Sequence, residues 1–120
     1  MTAREALTAA LDLMGMTDSN GNEQLTQRIK NKAIALINTV YADLWGIVSK
    51  DEFVPIKTLS DEINLKDRAL AALPYGVAAF IAGSEEDGLQ QQIWMSVYNK
   101  KRAGLTQITQ FKDVIPKPEG

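Results

Sequence analysis

Leu73-Pro74-Tyr75-Gly76-Val77-Ala78-Ala79-Phe80-Ile81-Ala82-Gly83 is the most apolar run in a chain of 120 residues, and no charge falls between Arg68 and Glu85. A helical bilayer span needs about 20 apolar residues, so this run is too short to cross a membrane. It reads as a buried helix. Pro74 suits the first turn of such a helix, where a missing N–H costs nothing. Gly76, Ala78, Ala79 and Ala82 are small and let another helix approach, while Val77, Phe80 and Ile81 supply packing volume. The run is therefore expected to be the central core helix of a bundle.

Outward from this run, the flanking sequence is helical in period. Ala6, Leu7, Ala10, Leu11, Leu13 and Met14 give residues 3–16 one apolar face, with Thr2 and Glu5 in capping-box spacing. Gly15 and then Asn20-Gly21 stop this first helix. A second helix is expected from residue 20 or 22 to about 49. One of its rows holds Leu25, Ile29, Ala33, Leu36, Val40, Leu44 and Ile47; the adjacent row holds Ile34, Ile37, Tyr41, Trp45 and Val48. Together they cover about half the circumference, which is more than one partner needs. Gln27, Lys30, Asn31 and Asn38 mark its wet side. At about 40 Å it is expected to be the longest element.

Residues 51–65 read as a connector, because Pro55 and Ser60-Asp61-Glu62 break any period. A short extended piece is expected near residues 53–59. Asn64 has the look of an N-cap for a helix reaching Leu73, with Asp67 at its third position and Pro74 restarting the chain. Ser84 is placed to cap a last helix whose first turn holds Glu85, Glu86 and Asp87. That helix is expected to end near Ala103, with Gly104 just past it. Residues 105–120 then form an arm, with Pro116 and Pro118 near its tip. The expected fold is thus all-α: about four helices in residues 1–104, one of them long, and an extended C-terminal arm in residues 105–120.

Composition narrows the chemistry. The formal net charge is −2, and the chain has neither cysteine nor histidine. Disulfides and thiolate chemistry are excluded, and the commonest metal ligand and near-neutral proton carrier is missing. Met1-Thr2-Ala3-Arg4-Glu5 lacks the apolar core of a signal peptide, so a cytosolic product is expected. Glu85-Glu86-Asp87 would offer oxygen ligands to a hard cation, and Asp61-Glu62 with Asp67 would offer an acid–base pair. Helix capping and loop solvation account for both more simply. Lys100-Lys101-Arg102 would take a phosphate beside Trp94 and Tyr98, or would dress a helix C-terminus with compensating charge. No enzyme activity, cofactor or metal is expected.

The order of Pro55-Ile56-Lys57-Thr58-Leu59-Ser60-Asp61-Glu62-Ile63-Asn64-Leu65, Leu73-Pro74-Tyr75-Gly76-Val77-Ala78-Ala79, Glu85-Glu86-Asp87-Gly88 and Tyr98-Asn99-Lys100-Lys101-Arg102 resembles the head–tail adaptor (connector) proteins of tailed-bacteriophage necks. The resemblance covers roughly residues 20–103. It implies an all-α core of about four helices and a ring of about a dozen copies below the portal. The ring's partners would be the portal and the tail-completion proteins. The genome would pass through its channel, and no membrane would be involved. The implied location is the virion neck, after assembly in the bacterial cytoplasm. The residues expected to meet partners are Leu105, Ile108, Phe111, Val114 and Ile115 on the arm, with Lys100, Lys101 and Arg102. A rival reading is a small helical nucleic-acid-binding or regulatory protein that uses the same basic run.

Overall fold

The computed structural model describes residues 1–16 and 27–114, with side chains in the last helix described through residue 105. Four helices follow one another: α1 (Ala3–Leu13), α2 (Gln27–Val48), α3 (Asp67–Ser84) and α4 (Gly88–Val114). The fold is an all-α bundle. No helix among the described residues is long and apolar enough to cross a membrane.

α3 is the hub, packing against α1, α2 and α4. Ten of its 18 residues are buried, from Ala69 to Ala82, so apolar surface wraps most of its circumference. The 73–83 run is therefore the core helix that its composition implies, but it is not a helix of its own. Pro74 lies inside α3 rather than in its first turn. Proline has no N–H for the Leu70 carbonyl, a loss of about 3 kcal/mol in an isolated helix. Burial of Leu73, Pro74, Val77 and Ile81 offsets it, since each large apolar side chain contributes about 1.5–3 kcal/mol when removed from water.

Close approach centres on Gly76. A Cβ there would stand 2.5 Å from Val40 Cγ1 and 2.8 Å from Tyr98 Cε1. Only a residue without a side chain lets α2 and α4 close on α3 at this level.

α1 is capped as its sequence dictates. The Thr2 hydroxyl accepts from the Glu5 N–H, and the Glu5 carboxylate accepts from the Thr2 N–H. The next free donors, the N–H groups of Ala3 and Arg4, reach the carbonyls of Asp61 and Leu59. The connector thus caps α1, and Thr2 and Glu62 form an isolated antiparallel bridge. At the other end α1 stops at Leu13, short of residue 16. Gly15 has φ 70°, and the Met16 N–H bonds back to the Leu11 carbonyl, which is Schellman geometry.

Beyond its backbone bonds to α1, the connector is fastened by side chains. No strand forms in the described residues near 53–59. Asn38 instead grips the Ile56 backbone at both ends: its Nδ2 donates to the Ile56 carbonyl at 3.0 Å, and its Oδ1 accepts the Ile56 N–H at 2.9 Å. Asn38 is therefore part-buried and does not belong to the wet side of α2. The Tyr41 hydroxyl accepts the Asn64 N–H at 2.9 Å, and Phe53 packs edge-on against the Tyr41 ring. Asn64 is not a cap. The residue preceding α3 is Lys66, which makes no side-chain cap bond. Asp67 opens the helix with φ 52°.

The α3–α4 junction also departs from the sequence reading. Ser84 ends α3, and Glu85 and Glu86 lie outside α4. The Asp87 N–H reaches the Ala82 carbonyl and the Glu86 N–H the Gly83 carbonyl, with Glu86 at φ 58°. This is a second Schellman stop, with a glutamate where glycine is usual. Asp87 then caps α4, its Oδ1 accepting the Gln90 N–H at 3.1 Å.

α4 is the longest described helix, at 27 residues against 22 for α2. It passes through Gly104 and continues to Val114. Residues 105–114 are thus helical and not an extended arm, and the expected break at residue 104 is absent. A glycine inside a helix costs about 1 kcal/mol, too little to end one whose next residue, Leu105, is buried. The molecule is elongated, 59 × 29 × 23 Å.

Candidate interaction surfaces

The basic run 100–102 splits into three environments. Arg102 faces α2: its Nε donates to Asp43 Oδ2 at 2.7 Å and its Nη2 to Oδ1 at 2.9 Å. The Tyr98 hydroxyl donates to the same Oδ2 at 2.6 Å. The Arg102 bond, supported by that from Tyr98, holds the Asp43 carboxyl below the usual carboxylate range. Burial, reinforced by the anionic Asp43, raises the Tyr98 hydroxyl well above the usual tyrosine value. The Asp43 bond likewise raises Arg102. This cluster is a clasp between α2 and α4, and Arg102 is committed to it. The sequence gives no local signal for Asp43, because both partners come from α4.

Lys101 lies 4.8 Å from the centroid of the Tyr75 ring, a cation–π distance. Tyr75 in turn tilts against Trp94 at 6.1 Å. Trp94 donates from Nε1 to Gln90 Oε1, and Tyr98 is buried. The two aromatics are therefore built into the bundle and do not form a stacking platform. Lys100 is exposed, and with Arg68 and Lys101 it lines a pocket between α3 and α4 of about 270 Å³.

The acidic clusters organise backbone. Asp61 Oδ2 accepts the N–H groups of Lys57 and Thr58, and its Oδ1 accepts the Thr58 hydroxyl. These bonds, led by that from the Lys57 N–H, lower its carboxyl. Glu62 meets the N-terminal ammonium at 3.2 Å. Glu85 lies 3.9 Å from Arg28, and Asp87 caps α4. No group of three carboxylates that would hold a metal occurs among the described residues.

An apolar strip is left uncovered at the start of α4. Leu89 is 70% exposed and Ile93, one turn on, 45%. These two side chains face outward, and α4 packs inward through Trp94, Tyr98 and Leu105. On an adjacent face of the same helix, Gln92, Met95, Ser96 and Asn99 line an open groove of about 660 Å³. Of the proposed contact residues, Leu105 is buried in a cluster with Tyr98 and Ala69. Ile108, Phe111 and Val114 lie on the α4 backbone, with side chains outside the described residues, and Ile115 lies wholly outside them.

The chain matches no family model, no curated protein and no solved structure.

Proposed function

We propose that this chain is a structural subunit of a tailed-phage neck, a head–tail adaptor that joins copies of itself into a ring below the portal. The all-α bundle supports this reading, since it is the architecture that the resemblance in residues 20–103 implies. The observation that carries it is the outward pair Leu89–Ile93 on the longest helix. A subunit that reaches its neighbour through a long helix leaves apolar surface uncovered until it assembles. In a closed ring such a contact is head-to-tail, with α4 of one copy against a different face of the next.

The test is assembly with the portal ring of a tailed phage. Mixed with that portal ring and measured by native mass spectrometry, the protein is expected to add as a symmetric set of copies. Leu89→Glu combined with Ile93→Glu is expected to abolish the addition while leaving the far-UV circular dichroism unchanged. Unimpaired addition by the double variant would remove α4 as the joining surface. No addition by the parent protein would remove the neck reading itself.

A further inference from the structure

We infer that Arg68, Lys100 and Lys101 form a binding site for the phosphodiester backbone of nucleic acid. The three side chains line one pocket between α3 and α4, together with Ala71 and Gly104. The two non-cationic members are the smallest residue types, so the space between the cations is open. A Cβ built on Gly104 would meet nothing within 4 Å.

Three positive groups around one cavity repel each other unless an anion lies among them. Among the described residues, neither Arg68 nor Lys100 nor Lys101 is in an ion pair. Arg102, the adjacent residue, is instead fully engaged by Asp43. The protein thus pairs one of its run of cations internally and leaves two facing Arg68 across the pocket. Compensation of a helix C-terminus does not explain them, because α4 continues to Val114, about three turns beyond Arg102. Lys101 is held in place by the Tyr75 ring, which reduces the side-chain entropy lost on binding.

The cations extend beyond what a single phosphate would fill. Arg68 also lines the adjoining groove at the start of α3, together with Lys66 and the single carboxylate of Asp67. Phosphate groups spaced along a strand match such a series, and each neutralised phosphate releases counterions. In a chain of net charge −2 this is a local feature and not a consequence of overall charge. The inference does not depend on ring assembly.

Fluorescence anisotropy with a labelled 20-base-pair duplex tests it, at about 50–200 mM salt. The parent is expected to bind with a dissociation constant in the range of about 1–100 µM at the low end, weakening as salt rises. Arg68→Gln, Lys100→Gln and Lys101→Gln together are expected to weaken binding at least about tenfold and to flatten the log–log salt slope by about 2–3. A control removes the same charge elsewhere, with Lys30→Gln, Lys32→Gln and Lys57→Gln, and is expected to keep the parent slope. Circular dichroism verifies that both variants fold. Binding of pyrophosphate, measured by titration calorimetry, without any binding of the duplex would mean a small-anion site and overturn the inference. Equal losses in the two triple variants, or a parent that does not bind the duplex at the lowest salt, would overturn it as well.

Discussion

Asp43 and Arg102, 59 residues apart in the chain, meet through two parallel hydrogen bonds of 2.7 and 2.9 Å. Tyr98 adds a third bond to the same carboxylate, so one side chain of α2 is tied to two of α4. Both members of the ion pair remain more than a third exposed, which limits the worth of the pair itself. The hydroxyl of the buried Tyr98 is the more sensitive partner. Asp43→Asn is expected to cost about 1–2 kcal/mol, measured by urea denaturation.

The same cluster sets a pH dependence. The folded-state carboxyl of Asp43 is lowered, so its stabilisation is present above the unfolded value near 4 and is lost as pH falls through the folded value. Tyr98 is raised, so its contribution is complete below about pH 10 and declines as pH rises above that. Thermal midpoints are expected to fall at both extremes. Asp43→Asn should lessen the acid loss, and Tyr98→Phe the alkaline one. An unaltered acid limb in Asp43→Asn would mean that Asp61 and Glu5, which are also lowered, govern it.

Two glycine replacements should act in opposite directions. Gly76→Ala places a methyl 2.5 Å from Val40 Cγ1 and is expected to destabilise by about 1–3 kcal/mol despite better helix propensity. Gly46→Ala, on the exposed face of α2 with open space around it, is expected to stabilise by about 1 kcal/mol. Denaturation midpoints moving the same way in both variants would contradict the packing described around Gly76.

Glu86 adopts φ 58°, a conformation that costs a residue with a side chain about 1 kcal/mol. Glu86→Gly is therefore expected to raise stability by up to about that amount. A lower thermal midpoint in Glu86→Gly would mean that the glutamate side chain does something beyond occupying the turn.

Asn38→Ala removes both bonds to the Ile56 backbone. It is expected to cost about 1–3 kcal/mol. Hydrogen exchange at the Ile56 amide should accelerate more than at α3 amides. Uniform acceleration would show that the connector opens only with the whole bundle.

Helical content and the central place of residues 73–83 were legible because hydrophobic period and small residues report on burial directly. The Thr2–Glu5 box and the stop at Gly15 were legible because each is a local signal. The rest depended on partners distant in sequence. Asn38 on a helix surface reads as solvated until the connector folds over it. Asp43 gains meaning only from Arg102 and Tyr98. Gly104 reads as a helix stop, yet Leu105 finds a place in the core and carries α4 onward. The split of Lys100, Lys101 and Arg102 between a pocket and a clasp follows from helix packing, which a run of three like charges does not encode.

Electron microscopy of the protein mixed with a tailed-phage portal ring tests the proposed neck role most directly. End-on class averages are expected to show a closed ring of about a dozen copies coaxial with the portal, joined through the Leu89–Ile93 face of α4. Portal particles without added density, or the protein present only as a free monomer or dimer, would contradict it.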